Sequence, residues 1–311
     1  MRRNTMFQLA VGSFLAVAST FAASDARSAP APVEVTPSGT GFAGIYGQHP
    51  ANSVEFLSTP DSIKSAAVSG APTLIWETLE HGEKVECLDC ISVVAPLLYD
   101  TRSAKNREIA AWWLRRRPLG VFGSGEVYEQ TLSTLASHPD PVTRSYAAAA
   151  LGEFLMAPGI AACSQAVTAD GDARVRAAAA SALGRLNSDG GGALGHAMSD
   201  ADPSVRLAAL GAAGIVNSFS SLPAVAALTT DSTTEVRRRA IEVLDGMNAK
   251  DTVTAVAAVA QKDPDAGVRA EACHALGTFG DASVQTLLTN LSQNDPDQFV
   301  RDQAQIALRR I

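Results

Sequence analysis

Cys87 and Cys90 are the one pair in this sequence whose spacing redox or metal chemistry uses. Two thiols three residues apart can close a local disulfide, exchange electrons as a working dithiol, or supply half of a shared metal site. The pair stands near the start of a helical pattern, where the dipole lowers a thiol pKa. No βαβ pattern surrounds it, and neither a second CxxC nor a nearby downstream histidine completes a ligand set. No histidine follows Cys90, so the pair is not a c-type haem attachment site. Cys163 and Cys273 lie in alanine-rich stretches several repeats apart and read as small core residues.

A second set of residues is suited to binding. All three tryptophans (Trp76, Trp112, Trp113) and all four tyrosines (Tyr46, Tyr99, Tyr128, Tyr146) precede residue 147. Arg115, Arg116 and Arg117 follow the adjacent tryptophans directly. One reading makes Trp112, Trp113, Arg115, Arg116 and Tyr128 a partner-binding patch, because Trp, Tyr and Arg dominate interface energetics. The other makes them the larger side chains with which a divergent end packs. On a helix, Trp112 and Trp113 point about 100° apart and cannot fill one pocket. The glycine run 190–192 lacks the lysine and hydroxyl that a phosphate loop requires, and reads as a turn between helices.

The elements that carry these residues repeat. Asp263–Phe279 (DPDAGVRAEACHALGTF) has copies at 138–154, 170–186, 200–216, 231–247 and 295–311. Their landmark arginines are Arg144, Arg176, Arg206, Arg237, Arg269 and Arg301, spaced by 32, 30, 31, 32 and 32 residues on subtraction. Counting from that arginine, alanine stands at +3 in every copy and leucine at +7 in all but the Ala213 copy. Positions −1, +3, +6 and +7 share one helix face, so each copy is an amphipathic helix with a small-residue stripe. Asp-Pro at 140–141, 202–203, 263–264 and 295–296 supplies start signals. A shorter apolar run between copies (222–231, 251–263, 281–295) makes the unit a helix–turn–helix of about 31 residues. The expected fold class is an all-α solenoid of stacked helix pairs.

The motif D-x-D-x-x-V-R-x-x-A-x-x-A-L-G resembles the short HEAT-like repeat of the phycobilin-lyase type, closely over 138–311 and loosely over 100–137. That resemblance implies a hydrogen-bonded aspartate–arginine ladder from repeat to repeat. It carries onto Asp140, Asp172, Asp202, Asp265 and Asp297, with Arg144, Arg176, Arg206, Arg269 and Arg301. The Arg237 copy has Thr233 at the aspartate position and interrupts the motif. Buried structural pairs and an anion-binding row are the two readings of these charges, and desolvation favours the pairs. Deoxyhypusine hydroxylases resemble this fold and bind iron through His-Glu pairs. None of the five histidines here precedes a glutamate. No metal or other cofactor is expected.

The composition is 46% hydrophobic and 5% aromatic with a net charge of −7, which argues against nucleic acid as a partner. Residues 1–28 read as a Sec-type signal peptide, with a basic start, an apolar core and small residues at 22–29 for cleavage. An exported, periplasmic or extracellular protein without stable membrane insertion after cleavage is expected. Residues 29–60 read as a flexible Ala/Pro/Ser-rich lead-in, 61–99 as a divergent capping helix pair with the CxxC, and 100–311 as the solenoid. Arg107 to Arg144 is 37 residues, and the excess near PLGVFGSGEVY reads as a loop insertion. The expected function is a non-catalytic scaffold for a protein or peptide partner. The alternative is a thiol-redox or redox-accessory protein using Cys87 and Cys90.

Overall fold

The computed structural model describes residues 59–115 and 125–311, which belong to one compact unit, His49–Ile311. The expected signal peptide, nearly all of the lead-in, and Arg116 lie outside the described residues.

Proline and glycine set the N-terminal elements. Pro60 opens α1 (Pro60–Ser69), Gly70 ends it at φ 71°, and Pro72 opens α2 (Pro72–His81). Cys87 caps α3 (Leu88–Val94), which runs into a 3₁₀ turn at Ala95–Tyr99 containing Pro96. The segment 61–99 thus holds three α-helices, not the expected single pair, because the Gly70–Pro72 break divides its first half. Next come α4 (Ala104–Leu114) and α5 (Glu126–Ser137).

Beyond them the repeat governs. First helices are α6 (Pro141–Phe154), α8 (Ala173–Arg185), α10 (Pro203–Ala213), α12 (Thr234–Gly246), α14 (Ala266–Phe279) and α16 (Gln298–Leu308). The intervening second helices are α7 (Pro158–Ala169), α9 (Ala193–Ala197), α11 (Leu222–Ala227), α13 (Val253–Lys262) and α15 (Gln285–Asn294). No strand occurs among the described residues. The fold is an all-α solenoid of stacked helices.

Its core is one continuous band from Ile63 to Ala307, built mostly of Ala, Val and Leu. Small residues set how closely first helices stack. A Cβ on Gly152 would meet the Ala182 backbone at 2.9 Å, one on Gly184 the Ala212 backbone at 2.9 Å, and one on Gly277 the Ala307 backbone at 2.8 Å. Glycine is required at +8 in these copies for close packing. The turn before α9 needs glycine for another reason: Gly190, Gly191 and Gly192 all have positive φ, from 65° to 95°.

Candidate functional site

The charged row is the first candidate, and its wiring differs from the expectation. Asp140, Asp172, Asp202, Asp265 and Asp297 are N-caps, each accepting from backbone amides of its own helix. Such a carboxylate is folded onto its own first turn and does not reach a neighbouring repeat. The ladder runs instead through the acid two residues earlier, at the end of the second helix. Arg144 donates to Asp170 at 2.8 and 2.9 Å, and Arg176 to Asp200 at 2.6 and 2.9 Å. Arg206 donates through Nη2 to Asp231 at 2.8 Å. Arg237 reaches Asp263 at 2.7 and 3.0 Å, and Arg269 reaches Asp295 at 2.9 Å twice. The ladder therefore continues through the Arg237 copy, where Thr233 affects only the cap.

Each rung is tied twice more. The arginine Nη1 donates to the carbonyl six residues before it, for example Arg237 to Asp231 O at 3.0 Å. The acid accepts from the amide two residues on, as Asp263 does from Asp265 at 2.9 Å. Hydrogen bonds from Arg144 and Arg176 hold Asp170 and Asp200 below the usual carboxylate range. At Asp231 and Asp295 burial alone would raise the pKa, but the combined bonds and charge, chiefly from Arg206 and Arg269, outweigh it and the net shift is downward. With their forks filled by buried carboxylates, Arg144 through Arg269 are structural ties with no room for an outside anion. Arg301 alone in the series bonds no carboxylate among the described residues, donating to Asp295 O and Gln298.

Two members of the expected aromatic patch are core. Trp113 is fully buried and its Nε1 donates to Gly82 O at 2.9 Å. Tyr128 is 2% exposed, packs 5.9 Å from the Phe154 ring and donates weakly to Met156 O at 3.4 Å. Neither is available to a partner, because the divergent end fills its interior with large rings. Repeat register carried the signal: Trp113 is at +6 from Arg107, and Ala150, Ala182, Ala212, Val243, Ala275 and Ala307 at +6 are all buried. Trp112 at +5 is half-buried beneath Arg115, whose guanidinium lies 5.5 Å from the ring centroid.

Cys87 and Cys90 are disulfide-bonded. Cys87 Sγ accepts from Cys90 N at 3.1 Å, and both residues are buried, at 7% and 0% exposure. Cys163 and Cys273 are fully buried free thiols that burial pushes up to about 12, which keeps them inert. No group of three or more potential metal ligands occurs among the described residues. No described helix is long and apolar enough to cross a membrane.

The disulfide adjoins a groove of about 710 Å³ between α3, the 95–99 turn and α5. Leu88, Ile91, Ala95, Pro96, Leu98, Tyr99 and Val127 give it mostly apolar walls, with Ser92, Glu126, Gln130 and Thr131 as polar points. Leu88, between the two cysteines, is 62% exposed. These residues come from three elements without a shared period, so no sequence pattern brought them together. A smaller groove of about 250 Å³ crosses α4, α6 and α8, floored by Ala111, Ala149, Ala150, Ala178 and Ala182. Beside it the Arg107 guanidinium sits 4.0 Å from the Tyr146 ring centroid.

A family model for HEAT repeats matches residues 128–192, 160–233 and 222–309, together more than half of the 311 residues. The chain is a HEAT-repeat protein. No curated protein matches it. Among solved structures, this HEAT-repeat chain is similar to YibA of Escherichia coli at TM-score 0.55 and 17% identity, over 84% of this chain and 96% of that one. It is similar to Kap95p at TM-score 0.58 and 16% identity, over 83% of this chain and 41% of Kap95p. The CpcE–CpcF complex of phycocyanin lyase from Nostoc sp. PCC7120 matches at TM-score 0.39 and 18% identity, over 70% and 93%. At such identities the likeness is one of fold.

Proposed function

We propose that this HEAT-repeat protein is an exported, non-catalytic scaffold that holds a protein or peptide partner on its surface, with the α3–α5 groove as the principal seat. The groove carries the reading: about 710 Å³ of mostly apolar walls, with Leu88 exposed at its edge. A volume of that order takes several side chains of an extended peptide, and an exposed apolar surface with polar margins is characteristic of an interaction site. HEAT-repeat folds are commonly used for protein interaction, and Kap95p binds RanGDP. The partner seat thus moves from the Trp113 and Tyr128 core to the groove beside it.

Photocrosslinking tests this reading. A benzophenone side chain replacing Leu88 is expected to capture a discrete partner that the same group at exposed Thr254 of α13 does not. Equal capture from the two positions, or none from 88, removes the groove from the function. For export, the protein's new N-terminus is expected between residues 22 and 29; an intact Met1 in the envelope-associated protein opposes it.

The thiol-redox alternative rests on the disulfide behind Leu88, beside the groove. Burial of both sulfurs weighs against it, since an exchanging sulfur must meet its partner thiolate. The pair is expected to stay oxidised down to about −300 mV, as a structural staple. Titration by differential alkylation between about −270 and −120 mV reverses that ranking.

A further inference from the structure

The outward face of α16 carries two exposed polar side chains at the positions on which first helices stack inside the solenoid. In the interior copies, positions +4 and +8 of a first helix are where the next first helix sits. They are Ala148 and Gly152 under α8, Ala180 and Gly184 under α10, Leu210 and Gly214 under α12, Ile241 and Asp245 under α14, and Cys273 and Gly277 under α16. On α16 these positions are Gln305 and Arg309, both exposed. A Cβ at Gly277 would already meet backbone at 2.8 Å, whereas +8 of α12 is Asp245, with His274 of α14 3.6 Å away, so one interior copy takes a larger side chain there.

What the face does present is self-complementary. Phe299, Asp302, Ile306 and Arg309 lie within an arc of about 80° on the helix surface. Phe299 is 58% and Ile306 40% exposed. Gln298 Nε2 donates to one Asp302 oxygen at 2.7 Å, and neither Asp302 nor Arg309 has an ion-pair partner among the described residues. Seven residues separate that acid from that base, about 10 Å along the axis, too far to pair within the helix. In an antiparallel copy of α16 related by a two-fold near Ile306, each Asp302 faces the other chain's Arg309. The two Ile306 side chains meet at the centre, and each Phe299 covers the other copy's last turn. Helices bearing such side chains pack at about 8–10 Å between axes, which needs no glycine.

We propose that the α16 face is an isologous dimer interface, and that its occupant is a second copy of this chain in antiparallel register. A two-fold pairing uses the same patch on both subunits and closes on itself. A contact of one helix face per subunit is small and makes a reversible dimer.

Sedimentation equilibrium on the purified protein tests the proposal. A monomer–dimer equilibrium is expected below about 500 µM, the range for a small interface. Asp302→Arg and Arg309→Asp, each placing like charges across the two-fold, are each expected to weaken association about tenfold or more. The double variant D302R/R309D restores the opposite-charge pairs and is expected to recover it to within about threefold of the original. A strictly monomeric protein overturns the proposal. So does association that ignores the single changes, or association lost in the singles and not regained in the double. None of these results touches the α3–α5 groove, so the partner reading stands or falls separately.

Discussion

Leu155 occupies a backbone conformation that its side chain does not favour. It ends α6 at φ 55°, eleven residues after Arg144, and the same +11 position holds Asn187 (φ 50°), Asn248 (φ 49°) and Gly280 (φ 63°). Those residues tolerate the left-handed region, and leucine there costs about 1–2 kcal/mol. Because Leu155 is 56% exposed, little apolar burial offsets the strain. Leu155→Asn is expected to stabilise the protein by about 0.5–1 kcal/mol, read by urea titration. A loss of stability means the leucine is held by contacts that its exposure does not reveal. At this scale the sequence was legible wherever the repeat register extended. The register places Trp113 inward at +6, but Tyr128 precedes the first regular copy and its burial against Phe154 had no periodic signal. The two aspartates of each D-x-D are chemically alike and two residues apart, so the sequence did not separate cap from ladder. Only the chain path does so, by turning one onto its own amides and the other toward the preceding arginine.

At the scale of elements, helix–helix distance is set by a single hydrogen atom. Gly152→Ala, Gly184→Ala and Gly277→Ala each gain up to about 1 kcal/mol of helix propensity. Each also drives a methyl into the backbone of the next first helix at 2.8–2.9 Å. Overpacking of that kind costs about 1–3 kcal/mol, so net destabilisation is expected at all three sites. Gly246 in α12 has nothing within 4 Å of its missing Cβ, and Gly246→Ala is expected to stabilise by about 0.5–1 kcal/mol. Thermal melts of the four variants check the contrast; uniform stabilisation would show that the stack has slack. The helices themselves were readable from Asp-Pro starts and the alanine stripe. The α3–α5 groove was not, because its walls come from segments 88–99 and 126–131 that share no period.

On the scale of the whole molecule, five consecutive Arg–Asp rungs join neighbours in a chain of nearest-neighbour ties. Arg237→Ala leaves Asp263, its side chain 4% exposed, without a counter-charge, and about 3–5 kcal/mol of stability is expected to go. Arg301→Ala removes no carboxylate tie and is expected to cost under about 1 kcal/mol. Equal losses from the two would deny the ladder its role. Acid should act in the same sense. Asp170, Asp200, Asp231 and Asp295 have pKa values depressed below the unfolded value near 3.9, so the unfolded chain takes up protons first as pH drops. The stability they add is full above about pH 4 and is lost as the pH falls through their folded-state values. Urea midpoints at pH 7 and pH 3 measure that loss, and Arg301→Ala, whose charge is the smallest of the contributions at Asp295, should reduce it only slightly. The rungs also all lie along one margin of the stack, where each second helix turns into the next first helix. At the opposite margin the side-chain ties between repeats include Asn187 to Asn217 at 2.9 Å and the Glu153–Arg185 pair. Such a body is bound like a book along both edges: by charge at its spine, and at its fore-edge by the bare backbone contact that Gly152, Gly184 and Gly277 allow.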